Sequence, residues 1–154
     1  MKLKKMVSVF LLLVMVMASS FSAFAAEEEV FEYDGIKFTV AGRVTIGEKE
    51  RGSTNLTLGE GLLITGFYGD GRACAHAITR TFNGEKHHLT AQTICYDTLG
   101  NYTASPVAGA SNATNVMSGL VSPKETSGGL FIGNFLIISS VTGQRYESSI
   151  HTEM

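Results

Sequence analysis

The sequence contains no tryptophan and only two cysteines, Cys74 and Cys95. Without tryptophan, a surface that stacks on sugar rings is weaker and has to be built from tyrosines such as Tyr68, Tyr96 and Tyr102. Neither cysteine directly follows the N-terminal apolar segment. A lipid-modified N-terminus is therefore excluded.

Several catalytic signatures are absent from the sequence. It has no G-x-S-x-G nucleophile motif, no phosphate-binding P-loop and no Asp-x-Asp-x-Asp calcium pattern. Its acidic residues are scattered over predicted turns, where they normally serve solubility. The sequence therefore predicts no catalytic residue and no cofactor, and a small secreted hydrolase is kept only as a third interpretation.

Helical patterning is missing as well, since no segment after the leader repeats apolar residues at i, i+3 and i+4. Threonine, valine, isoleucine, tyrosine and phenylalanine are frequent instead, and there are 17 glycines. Turn signals recur between short alternating segments. The fold class predicted is all-β: an antiparallel β-sandwich or small barrel of about 7–9 strands, after a cleaved N-terminal signal helix.

Residues 1–26 have the layout of a secretory signal peptide. Lys2, Lys4 and Lys5 precede an apolar run from Met6 to Ala18, and Ala23-Phe24-Ala25 fits a small-x-small cleavage site. Small and polar residues interrupt the apolar run before it could span a bilayer. We expect an extracellular location after export.

Residues 27–154 are then expected to form a single secreted β-domain. Three of the 12 basic residues lie in the leader, so nine remain against 14 acidic residues, a net charge of −5. This balance argues against nucleic acid as a partner and against an anionic membrane held by charge alone.

The segment from Arg72 to Asp97 alternates apolar and polar residues on both sides of Asn83-Gly84-Glu85. Such turn dipeptides predict a tight hairpin. With Gly84-Glu85 as the central pair, which is the register we favour, Cys74 faces Cys95 in a non-hydrogen-bonded pair. With Asn83-Gly84 as the central pair, the cysteines are diagonal neighbours. Exported proteins are disulfide-permissive, so a Cys74–Cys95 disulfide is predicted.

Other segments give more local predictions. Val30–Tyr33 and Ile36–Val40 flank Asp34-Gly35 and predict a second hairpin. The apolar segments 62–68 and 130–141 predict buried strands, or sticky ones if they lie at a sheet edge. The segment 102–108 could be a strand, which Pro106 demotes to an edge strand or a bulge. Residues 109–115 are small and polar, which predicts a loop.

The four histidines do not predict a metal site. His87 and His88 are adjacent and point to opposite faces of a strand, and no H-x-H or H-x₃-H pair supplies two ligands. His76 is two residues from Cys74, which admits a thiol nucleophile only if one cysteine is free.

By elimination, the interpretation favoured is a secreted non-enzymatic module that binds a protein, a surface or a polymer. His76, Tyr68, Tyr96 and Tyr102 are the candidate binding-surface residues. The alternative is an antibacterial or membrane-active protein, in which 130–141 beside Ser127-Gly128-Gly129 inserts into a bilayer. The ligand and the oligomeric state are left open.

Overall fold

A computed structural model describes residues 28–48 and 56–154, and within these ranges every regular element is a β-strand. The predicted signal peptide lies outside the described residues. The all-β prediction is confirmed, but the described residues form ten strands rather than the expected 7–9. They are β1 (Val30–Tyr33), β2 (Ile36–Glu48), β3 (Leu56–Phe67), β4 (Ala73–Thr81), β5 (His87–Asp97), β6 (Tyr102–Ala104), β7 (Ala108–Ala113), β8 (Asn115–Met117), β9 (Gly129–Ile138) and β10 (Arg145–Glu153).

The strands form two antiparallel sheets. The first sheet has the order β1-β2-β3-β4-β8, and the second has the order β10-β9-β5-β6, with β7 also paired to β5. The apolar segments 62–68 and 130–141 fall largely in β3 and β9. Both strands lie inside their sheets, with partners on each side. Neither therefore offers a free edge for self-assembly.

The predicted hairpin at Asp34-Gly35 is confirmed. β1 pairs with β2 so that Tyr33 faces Ile36, and Asp34 and Gly35 have φ angles of 50° and 76°. Two positive φ angles in a row suit the twist of a two-residue hairpin, and Asp and Gly tolerate them best. Pro106 lies between β6 and β7, so the segment 102–108 is not one continuous strand. Residues 109–115, predicted as a loop, mostly belong to β7 and β8.

The prediction of a hairpin between β4 and β5 is wrong. The chain does reverse at Asn83-Gly84, where both φ angles are positive, and the Glu85 amide donates to the Phe82 carbonyl. However, β4 pairs with β3 and β8, while β5 pairs with β9, β6 and β7. The turn therefore carries the chain from one sheet to the other, and the favoured register with Gly84-Glu85 at its centre is not formed.

The disulfide prediction fails for the same reason. Ala73 and Ala75 pack in the cluster that contains Cys95, together with Phe131. Cys74 lies between them on the strand and points to the opposite face of the first sheet, where it packs with Phe38. Both cysteines are free and fully buried.

The two sheets pack face to face over an apolar core. One part of this core contains Ile46, Leu58, Ala77, Leu89, Ala91, Phe135 and Ile137, and the other contains Leu63, Ala73, Ala75, Cys95, Val121 and Phe131. Glycines make room for the ring of Phe135. A Cβ atom at Gly61 would lie no farther than 2.7 Å from three ring carbons of Phe135, and one at Gly133 would lie 2.7 Å from its Cζ.

The first sheet also curls into a half-barrel and encloses a second core of its own. Phe38, Leu62 and Ile64 are fully buried on the side away from the second sheet. Their described neighbours come from the same sheet, including Phe31 of β1 and Met117 of β8. Register shifts after Val40 and after Ile46 interrupt the β2–β3 ladder. Such bulges increase local twist, which favours curling.

A four-residue ion network stabilises the curled sheet. Glu60 is only 3% exposed and accepts from Arg80 Nε at 2.6 Å and from Arg43 Nη1 at 2.8 Å. Glu29, just before β1, accepts from both arginines. The hydrogen bond from Arg80 is the main cause that lowers the pKa of Glu29. Since a buried carboxylate needs compensation, this network ties the start of the domain to β4.

Candidate functional site

The outer face of the second sheet is the main candidate site. Along β5, buried residues alternate with partly exposed ones from His87 to Cys95, so His88, Thr90, Gln92 and Ile94 point outward. Residues opposite them in the ladders share that face. We call this surface the outer face. It carries both polar and apolar side chains, whereas the inner face is mainly apolar.

A cleft of about 660 Å³ lies on the outer face, across β5, β9 and β10. This volume falls within the range of small-molecule sites. The cleft is lined by Thr90, Gln92, Val107, Asn134, Phe135, Leu136, Arg145, Glu147, Ser148 and Ser149.

Hydrogen-bonding side chains cross the middle of the cleft in one row. Gln92 of β5 faces Asn134 of β9, which in turn faces Ser149 of β10. Gln92 donates from Nε2 to the Ser105 carbonyl at 3.1 Å, which restrains the amide, and its side chain lines the cleft. Among the described residues, the Asn134 side chain has no hydrogen-bond partner. The row therefore offers neutral donors and acceptors to a ligand.

Two tyrosines form an exposed aromatic pair at one end of the outer face. Tyr96 of β5 and Tyr102 of β6 are direct ladder partners, 40% and 49% exposed, with ring centroids 5.4 Å apart and a tilt of 59°. Gln92 and Tyr96 are four residues apart on one strand, which places the aromatic pair about 13 Å from the polar row. The pair and the cleft thus lie along one direction of the sheet.

Asp97 builds the turn that brings the two tyrosines together. Its carboxylate accepts from the amides of Leu99 at 3.0 Å and Asn101 at 2.8 Å, and from Asn101 Nδ2 at 2.9 Å. Burial raises the pKa of Asp97, but these hydrogen bonds and one from the Glu125 amide outweigh it and lower the pKa overall. Asp97 therefore has a structural role here.

The two charged residues on the rim of the cleft form an ion pair with each other. Arg145 forms an ion pair with Glu147 two residues away on β10. Both side chains are well exposed, and they are the charged residues that line the cleft. The cleft therefore has no net formal charge.

The four predicted binding-surface residues do not form one surface. Tyr96 and Tyr102 lie together on the outer face, as just described. Tyr68 packs against the core of the first sheet, and Arg72 lies over its ring at 5.2 Å. His76 is buried inside the half-barrel, with its ring 5.8 Å from Tyr33 and 5.2 Å from Phe38.

His76 is held there as a neutral core residue. Its Nδ1 donates to the Ser118 carbonyl at 2.9 Å. Desolvation is the largest cause acting on the group and lowers the pKa of His76, although the carbonyls of Ser118 and Gly119 and the charge of Asp34 oppose it. Burial in the half-barrel therefore favours the neutral form of His76.

The thiols are poor nucleophiles in this fold. Burial raises the pKa of Cys95 to about 11, with a further contribution from Asp97, and burial also raises the pKa of Cys74. Because the thiolate is the reactive form, a thiol nucleophile paired with His76 is not supported.

The remaining histidines are spread over the fold. His87 is buried and accepts at Nδ1 from the Ser140 amide, His88 contacts Ser111 Oγ at 2.8 Å, and His151 is exposed on β10. Within residues 28–48 and 56–154, no cluster of three or more His, Cys, Asp or Glu residues has the geometry to hold a metal ion.

Comparisons with known proteins give no guide to function: no family model, no curated protein and no solved structure matches the chain. In the described part of the chain no helix meets the length and hydropathy needed to cross a membrane.

Of the four predicted binding-surface residues, Tyr96 and Tyr102 lie on the outer face. Gln92 was not predicted as a site residue. Asn134 and Ser149 were missed, because pairing of β5 with β9 and of β9 with β10 decides their position. No local signal in the sequence specifies the β5–β9 pair.

Proposed function

We propose that this protein is a secreted, non-enzymatic binding domain of β-sandwich type, and that its ligand surface is the outer face of the second sheet. The observation that supports this best is the cleft of about 660 Å³, which crosses three paired strands and contains a row of neutral hydrogen-bonding side chains. Concave sites with few placed polar groups are typical of ligand recognition.

The chemistry of the described residues is consistent with binding rather than catalysis. The thiols are buried with raised pKa values, and Asp97 is used to hold a turn. The membrane-active alternative requires β9 to detach from both β5 and β10, which would break two ladders at the centre of the second sheet. Export is supported by the N-terminal sequence pattern.

A pair of matched variants tests this proposal. Ser149→Arg places a long side chain in the cleft from an exposed position, and Thr45→Arg places the same charge on the exposed side of β2 in the first sheet. The purified protein is assayed for saturable binding to immobilised polysaccharides, to a peptide library and to vesicles of phosphatidylcholine with phosphatidylglycerol.

We expect saturable binding to one of these probes, lost in Ser149→Arg and retained in Thr45→Arg. Equal binding by both variants would place the ligand surface elsewhere. Leakage of vesicles at micromolar protein, unaffected by Ser149→Arg, would support the membrane-active alternative instead.

A further inference from the structure

We infer that the ligand of the outer face is an extended, uncharged glycan chain, an inference that rests on the proposed function. It follows from two features that share this face: the neutral polar row in the cleft and the exposed pair Tyr96–Tyr102 beyond one end of it. Sugars present both hydroxyl groups and apolar C–H faces. A surface that recognises them needs partners for each.

The polar row provides partners for hydroxyl groups. A hydroxyl both donates and accepts, and so does the row, since Asn134 supplies a complete amide beside Gln92, whose amide oxygen accepts no hydrogen bond from the described residues. Asn134 has no hydrogen-bond partner among the described residues, so its donors and acceptor are free to bind a ligand. Ser149 adds a hydroxyl from β10.

The aromatic pair provides the apolar partner. The rings of Tyr96 and Tyr102 are tilted by 59° and are 40% and 49% exposed, so part of each side chain is open to solvent. An aromatic ring can stack on the C–H face of a sugar while its hydroxyl stays hydrated. The distance of about 13 Å along β5 between Gln92 and Tyr96 requires an elongated ligand of several sugar units rather than one.

The charges at the cleft and on the domain disfavour acidic glycans and charged peptides as ligands. The two charged residues that line the cleft, Arg145 and Glu147, are paired with each other. A carboxylated or sulfated ligand would find no unpaired cation there and would meet a domain of net negative charge.

The test uses an array of neutral linear oligosaccharides of glucose, mannose, galactose and N-acetylglucosamine, with carboxylated and sulfated counterparts. The variants are Asn134→Ala in the cleft and Tyr96→Ala and Tyr102→Ala at the aromatic pair. Phe67→Ala is the matched control, because Phe67 is an exposed aromatic residue on the first sheet. Circular dichroism melting checks that each variant is folded.

We expect binding to neutral chains of at least three units, weakened about tenfold by Asn134→Ala and about fivefold by each tyrosine variant, and unchanged in Phe67→Ala. Preference for charged glycans would overturn the inference of an uncharged glycan and leave the proposed function standing. Binding to neutral chains lost in Asn134→Ala but retained in both tyrosine variants would overturn the inference of an extended ligand that reaches the aromatic pair, and would also leave the proposed function standing. If the four variants bind alike, both proposals fail.

Discussion

Replacing Gly61 by alanine tests the packing of the two sheets most sharply. The added methyl group would lie within 2.7 Å of three ring carbons of Phe135, which is 2% exposed and also faces Gly133. Because the buried ring lies against both glycines, either it leaves its rotamer or the sheets separate. Overpacking of this kind costs about 2 kcal/mol. For a domain of this size we expect the melting temperature to fall by about 8 °C.

A control variant and a second substitution separate the effect of packing on stability from any effect of alanine on the backbone. Gly109→Ala adds the same methyl group where the nearest atom is Thr90 Cγ2 at 3.7 Å, an ordinary contact, so stability should change by less than about 0.5 kcal/mol. Phe135→Leu destabilises on its own but should relieve the clash. A double-mutant cycle of Gly61→Ala with Phe135→Leu is expected to show coupling of about 1 kcal/mol or more in the free energy of unfolding. Additive effects, or an unperturbed Gly61→Ala variant, would refute the face-to-face packing described here.

Four further predictions follow from the same structure. Burial lowers the pKa of His76, so the unfolded chain binds more protons in acid; the free energy of unfolding should fall as pH drops below about 6.5, and His76→Gln should weaken this dependence in denaturant titrations at pH 5 and 7. Alkylation followed by mass spectrometry should label neither cysteine in the native protein and both in guanidinium chloride; a mass two hydrogens below the thiol form would restore the disulfide. Arg80→Met removes one charged hydrogen bond to buried Glu60 and two to Glu29, and should cost about 2 kcal/mol by thermal unfolding; a melting temperature equal to that of the unsubstituted protein would show that the network contributes nothing. Gly84→Val forces a β-branched residue to a φ of 70° and should lower the melting temperature; no change would mean that the turn lies elsewhere.

Local signals in the sequence were sufficient for some elements. The Asp34-Gly35 hairpin depends on two residues that tolerate positive φ, and the structure has both there. The apolar segment 130–141 predicted a buried strand, and β9 is buried along its inner face. Each of these predictions needs information from neighbours in the chain alone, which is why each could be made.

Pairing between distant strands could not be predicted in the same way. Asn83-Gly84 specifies that the chain turns but not that β4 and β5 then enter different sheets. The disulfide prediction assumed that β4 and β5 pair with each other, and it is wrong for that reason. The curl of the first sheet depends on bulges and on contacts across the half-barrel, such as Phe38 with His76, which no local pattern reveals. The Asn134–Ser149 half of the cleft was missed because it depends on ladder register.

Amide chemical-shift mapping by NMR tests the central claim, that ligands bind on the outer face of the second sheet. A neutral oligosaccharide that binds on the array is titrated into isotopically labelled protein. The account predicts shift changes in β5, β9 and β10, centred on Gln92, Asn134 and Ser149 and extending to Tyr96. Changes confined to β2, β3 and β4, with the second sheet unperturbed, would contradict it.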